Sequence, residues 1–407
     1  MFPKGLDRRV WQLAIARAVN TAGLSLVLAF LGVYIVEDRG YPAITYGVIA
    51  VIANLAQSMA NAWAGALSDR VGRRALIAGS LLARGVVISA LGTLVLVDAP
   101  LWAIGASIVV SGVFRGCFEP VSYALVADVA PAEQRIAAFG VQRMGTNLGW
   151  ALGPAVGGSL SLVIPYGAIF YVSAASMFAA AVITLRIEDP VERAPTRSRS
   201  QELPAATSAP TSLLGGLAQA AADPTLRLLL AGTFFAAMLQ TQMFSTFSIF
   251  MTDRVGVTKA EVGLLYALNG VLVLALQLPA MRVIRARGVR AILPRAAALS
   301  TFGFALVGLG SLAGGVGAIF VITCAEMLFA PAHQTTVAEL SRPGARGRMF
   351  GVIGFVQMVG VACAPLVGGI LLDTIGAHHL ALWLTLATLG AAQTLCLLRF
   401  ARRAPCV

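Results

Sequence analysis

The feature that most constrains this chain is a recurrence of long apolar runs, separated by short polar stretches, from one end to the other. They fall at about 11–35, 44–67, 75–97, 101–126, 136–162, 165–187, 224–251, 259–283, 293–313, 316–338, 347–372 and 379–400. Each is close to the roughly 20 residues that carry a helix across a bilayer. In lipid every backbone N–H and C=O must find its partner inside the segment, so such runs fold as helices. Of 407 residues 58% are hydrophobic and only 12% charged, where a soluble domain has about 25% charged. The expected fold is an all-α integral membrane protein of twelve transmembrane helices.

An even number of spans places both termini on one side. Of the 30 Lys and Arg, only Arg39, Arg254 and Lys259 fall in loops on the opposite side. Arg17, Arg84, Arg115 and Arg143 fall within spans, which leaves 23 on the side of the termini. Positive charge marks the cytoplasmic face, so the termini are expected in the cytoplasm. The net charge of +12 is spread over these loops and not gathered on one face, which argues against a nucleic-acid partner. The start, "MFPKGLDRRV", has no small-residue cleavage site, and the first helix is expected to act as an uncleaved insertion signal. Cys117, Cys324, Cys363 and Cys396 lie inside apolar runs at no metal-ligand spacing, so neither a disulfide framework nor a metal site is expected.

Between the sixth and seventh runs stands "EDPVERAPTRSRSQELPAATSAPTS", rich in Pro, Ser, Thr and charge. It reads as a flexible tether, giving an N-terminal six-helix bundle at 1–187, a cytoplasmic linker at 188–223 and a C-terminal bundle at 224–407. An offset of 211 residues lays "EPVSYALVADVAPAEQRIAAFG" over "APAHQTTVAELSRPGARGRMFG". Pro120 then meets Pro331, Asp128 meets Glu339, Arg135 meets Arg346, and Pro154 meets Pro365. Parallel repeats of this kind are a transporter architecture, with the substrate site expected near the midplane between halves.

The loop between the second and third runs reads "GALSDRVGRR", with Gly65, Leu67, Asp69, Arg70, Gly72, Arg73 and Arg74. It resembles the signature of the major facilitator superfamily, and the resemblance extends over essentially the whole chain. It implies two pseudo-symmetric six-helix bundles and alternating access, with this loop as a cytoplasmic latch. Asp128, Arg135, Glu339 and Arg346 stand where members of the family pair acids with basic residues of the latch; as plain solvated loop charges they would need no such role. The fifth run holds "GWALGPAVGG", with Gly149, Gly153, Pro154, Gly157 and Gly158. Small residues four apart give a smooth face for close helix packing. The full pattern resembles the motif of the twelve-span drug:proton antiporters and implies efflux over uptake. The second copy has Ala364 in place of the central glycine.

Charges inside spans cost roughly 2.5–3.5 kcal/mol on insertion scales and usually face an interior cavity with partners. Arg115 and Glu119 stand four apart in the fourth run, Arg143 lies near Asn147 in the fifth, and Glu326 meets Arg115 under the 211 offset. Arg115 and Gly116 fit the family's fourth-helix pattern, whereas Glu119 departs from it. One reading makes these charges a permanent ion-pair network. The other makes Glu119, and then Glu326, a proton acceptor tuned by Arg115 and Arg143, with Arg115 and Glu119 paired on one face. Arg17 and Arg84 are expected to snorkel toward the interface. In the seventh run Gln240, Phe244, Phe247 and Met251 share one helical face, a candidate substrate lining that plain helix packing would equally explain. Other polar residues within spans, among them His333, Gln334 and Gln357, either line the same cavity or bond neighbouring helices.

The expected function is proton-coupled export of a hydrophobic or amphipathic small molecule such as a drug, in the inner membrane of a bacterium. It needs no cofactor beyond a proton gradient, and the expected partners are the substrate, protons and the lipid bilayer, with the protein a monomer. Metabolite uptake, lipid flipping and a non-transporting sensor on the same scaffold are the alternatives. No nucleotide loop, zinc spacing or nucleophile–base pair points to an enzyme.

Overall fold

The computed structural model describes residues 6–131, 134–187, 222–340 and 346–403. Among them there are twelve long helices and no strand. These are α1 (Arg8–Val33), α2 (Ala43–Val71), α3 (Arg73–Leu96), α4 (Leu101–Val129), α5 (Arg135–Leu160) and α6 (Tyr166–Leu185). They continue as α7 (Pro224–Thr241), α8 (Lys259–Arg287), α9 (Val289–Val307), α10 (Leu312–Leu340), α11 (Arg346–Ile375) and α12 (His379–Arg403). Of these, eleven are long and apolar enough to cross a membrane. Helix α5 is not among them, because Gln142, Arg143, Thr146, Asn147 and its glycines interrupt the apolar run. The linker expected at 188–223 lies, up to residue 221, outside the described residues.

Local chemistry explains where helices begin. Asp7 caps α1 by accepting from Arg9 N at 2.8 Å, which satisfies one of the N–H groups a helix start leaves open. The Arg9 side chain, hydrogen-bonded to the same carboxylate, holds the Asp7 carboxyl below its ordinary range. Asp223 caps α7 at Thr225 N, 2.7 Å away, with Pro224 in the first turn. Helices α2 and α3 are joined through Gly72 alone, at φ +90°, and α8 and α9 through Gly288 at φ +77°. A side chain at either position would be strained, which is why both tight turns carry glycine.

The chain divides into two compact units. The first comprises Met1–Tyr34, Val48–Leu203 and Thr258–Gly270, and the second Ile35–Gly47, Pro204–Val257 and Val271–Val407. In the first, α1 packs on α5 and α6, and α3 on α4 and α6; in the second, α7 packs on α11 and α12, and α9 on α10 and α12. A shift of six helices converts one set of pairings into the other. The first core gathers Leu13, Ile77, Leu81, Phe118 and Leu125, and the second Leu229, Leu293, Ala332, Leu397 and Phe400. Bulky apolar side chains also point outward, including Trp63, Val86, Trp102, Leu264 and Phe302. That is the pattern of a protein whose outer solvent is hydrocarbon.

Candidate functional site

The charges of the first unit meet inside it. Arg17 is 2% exposed and Arg84 3%, so neither snorkels. Helix α1 begins at Arg8, which puts Arg17 more than two turns in, and Arg84 lies at the centre of α3. The expected Arg115–Glu119 pair is not formed. Glu119 Oε2 instead lies 4.0 Å from Arg17 Nη1. The cause is aromatic: the Arg17 guanidinium sits 4.1 Å over the ring of Tyr123 and 5.6 Å from that of Phe118. Tyr123 is one turn beyond Glu119 on the same face of α4, so the ring that holds Arg17 also delivers it to the carboxylate. Arg84 donates through Nε to Ser111 Oγ at 3.2 Å and lies within electrostatic range of both Arg115 and Glu119. Nε and Nη2 of Arg17, Nη1 of Arg84 and Nε of Arg115 are buried without a hydrogen-bond partner. Arg17 and Arg84 thus both act on one carboxylate, which is 41% exposed and has Arg115 one turn before it on α4. Arg143 and Asn147 lie half-buried on α5, and Arg143 has no ion pair among the described residues.

At the end of α4, Asp128 forms an ion pair with Arg73 at the start of α3. Arg74 donates to Ile187 O at 3.3 Å, and Arg70 is exposed. Gly65 lies within α2, and the side chains of Asp69, Arg135 and Arg346 lie outside the described residues. Glu339, the counterpart of Asp128, is exposed and has no ion pair among the described residues.

The glycines of α5 face α1 at backbone distance. A methyl group at Gly149 would stand 2.6 Å from Thr21 Cβ and 2.7 Å from Ala22 N, and one at Gly153 2.5 Å from Ala22 O. At Gly157 it would meet the Leu26 carbonyl oxygen, and at Gly158 the Lys259 O at 2.5 Å. Pro154 lies inside the same helix.

The second unit contains a partly open cavity of about 430 Å³ whose lining includes Gln240, Glu326, Phe329, His333, Gln357 and Gln393. Gln240 Nε2 donates to Glu326 Oε2 at 3.2 Å. Gln240, Phe244, Phe247 and Met251 do not share the single helical face expected of them. Helix α7 stops at Thr241, and a turn separates it from a short helix at Thr246–Ile249 and a π-helical turn at Phe250–Arg254. Gln242 Nε2 donates to Ala364 O at 2.9 Å and its carbonyl receives the Thr246 hydroxyl. Gln242 thus anchors the chain to α11 and to Thr246 at the point where the helix breaks. Phe247 and Met251 are then 1% and 0% exposed, Phe247 packing edge-on to Trp383, while Phe244 is half-buried. The sequence set Arg17 aside as a residue able to snorkel, and it gave no sign of the pairing of His333 with Thr233. The one signal for Arg17 was a charge inside an apolar run, masked by a span start placed three residues late.

The Major Facilitator Superfamily model matches residues 13–250 and 229–405. The chain is 28% identical over 405 residues to a "Multidrug resistance protein MdtH" of Aeromonas hydrophila, covering 97% of this chain and 96% of the relative. It is 24% identical over 378 residues to the "Uncharacterized MFS-type transporter YqjV" of Bacillus subtilis, covering 90% and 87%. Among solved structures it is similar to the nucleoside transporter NupG, with a TM-score of 0.79 at 13% identity over 98% of this chain and all of that one. That last likeness is one of fold.

Proposed function

The chain belongs to the major facilitator superfamily, and from that premise we propose that it exports a hydrophobic or amphipathic small molecule by proton-coupled antiport and alternating access. The observation that carries the reading is Glu119, a carboxylate in the middle of a membrane helix, partly accessible, among Arg17, Arg84 and Arg115. A carboxylate there binds and releases a proton, and each change alters the balance of charge around the buried Arg17 and Arg84 and the half-buried Arg115. Protonation frees Arg17 from its ionic partner while the Tyr123 ring still holds it. The Arg73–Asp128 pair serves as one latch of the switch, closed in this conformation. The glycine ridge of α5 supports antiport, and relatives named as multidrug resistance proteins support export of foreign amphipathic molecules. The protein works as a monomer in the cytoplasmic membrane of a bacterium, with both termini inside and the proton gradient in place of any cofactor.

The test is transport in proteoliposomes under an imposed pH gradient, with a fluorescent rhodamine methyl ester as the probe. Wild type is expected to move the probe against protons, and the substrate to discharge the gradient. Glu119→Gln is expected to bind the probe yet lose gradient-driven accumulation. Accumulation by Glu119→Gln at the wild-type rate would remove Glu119 as the coupling group.

A further inference from the structure

The cavity of the second unit presents acceptors where a head group would sit. Thr233 Oγ1 lies 2.8 Å from Leu229 O and 2.7 Å from His333 Nε2. A hydroxyl has a single proton, and donation to the carbonyl one turn back commits it. Oγ1 can then only accept from His333, so Nε2 carries the ring proton and Nδ1 carries a lone pair. The ring is fixed in that pose by stacking on Phe329, 5.3 Å between centroids at 23°, and by burial. Glu326 lies two turns before His333 on the same face of α10, and among the described residues it is the one charged member of the cavity lining. The amide nitrogen of Gln240 is engaged with Glu326, which leaves its carbonyl oxygen as a further acceptor.

We infer that this compartment takes a hydrogen-bond-donating head of the exported molecule, an amine or amide N–H, and that neutral His333 reads it through Nδ1. The inference rests on the export reading above and names the chemistry of the substrate's head. An anionic head would meet Glu326 with no cation among the described lining residues. A fully alkylated head would leave His333 Nδ1 and the Gln240 carbonyl oxygen facing it with no N–H to accept, which is the costly kind of mismatch.

The test compares two probes on the purified full chain in lipid nanodiscs by fluorescence anisotropy. One is a rhodamine methyl ester with free amines, the other its N-tetramethyl analogue; both are cations with the same ring system. Wild type is expected to bind the free amine roughly five- to tenfold tighter, the range of one hydrogen bond. His333→Phe keeps a ring to stack on Phe329 and should bring that ratio close to one without weakening the methylated probe. Thr233→Ser keeps the hydroxyl and should preserve the ratio, whereas Thr233→Val releases the tautomer and should lower it. Should His333→Phe lose both probes through misfolding, the two Thr233 variants decide. A wild-type ratio near one, or a ratio unchanged in folded His333→Phe or in Thr233→Val, overturns the inference. An intact pattern of ratios with no proton movement in proteoliposomes would support it while ending the antiport reading.

Discussion

Arg17 is a cation deep in a membrane helix, with two guanidinium nitrogens unsatisfied and one carboxylate at the limit of ion-pair range. Stability does not explain its presence, since replacing a buried ion with an apolar side chain of similar volume is often neutral or stabilising. The face of Tyr123 offsets part of the desolvation, a desolvated cation–π contact being worth about 2 kcal/mol. What Arg17 alone supplies is a charge that stays in place whether or not Glu119 is ionised. Arg17→Met is therefore expected to keep or raise the melting temperature in detergent and to lower proton-driven transport at least about tenfold. A fall in both, in proportion, would make Arg17 a packing residue. At this scale the sequence showed that charges lie within spans but neither which of them are buried nor which pairs they form. Arg115 and Glu119 are four apart and look like partners, yet the partner is chosen by an aromatic ring whose neighbour across the bundle no spacing rule identifies.

The packing of α5 on α1 shows how an element's sequence fixes its approach to another. Ser25 Oγ donates to Gly149 O at 3.0 Å, a contact that the missing side chains of α5 allow. Under the 211 offset Gly153 corresponds to Ala364, which is wholly buried on α11 and passes its carbonyl to Gln242. The two copies thus solve one problem differently, the first by close backbone approach and the second with a methyl group and an amide. Gly153→Ala is expected to destabilise by about 1–3 kcal/mol, because its methyl group meets the Ala22 carbonyl. Ala364→Gly is expected to cost about 1 kcal/mol, the intrinsic helix penalty. Thermal unfolding of both variants checks the order, and a Gly153→Ala protein as stable as wild type would show that α1 can move away. The glycine ridge was legible because its spacing is local. The break after Thr241 was not, since the bond Gln242 makes there reaches a carbonyl more than a hundred residues away.

At the scale of the whole molecule, the distribution of basic residues and the direction of energy flow are one problem. With 23 Lys and Arg on the side of the termini and three opposite, insertion is expected to place the Gly72 and Gly288 turns in the cytoplasm. Gly40, Gly256 and Gly310, the other positive-φ glycines among the described residues, would then fall in loops outside. Alkaline phosphatase, which is active only after export, is expected to be active when fused at Gly256 and inactive when fused at Gly288. The reverse pattern would invert the protein and with it the sign of the coupling. In the expected orientation a proton moves inward down the membrane potential and yields about 2.3 kcal/mol per 100 mV. For a neutral substrate exchanged one for one, that supports a gradient of roughly 50-fold from potential alone. Collapsing the potential with valinomycin and potassium at constant pH should therefore abolish accumulation of a neutral probe in proteoliposomes that lack a pH gradient. Persistence of accumulation with neither a potential nor a pH gradient would mean that protons do not drive it, and would end the antiport reading.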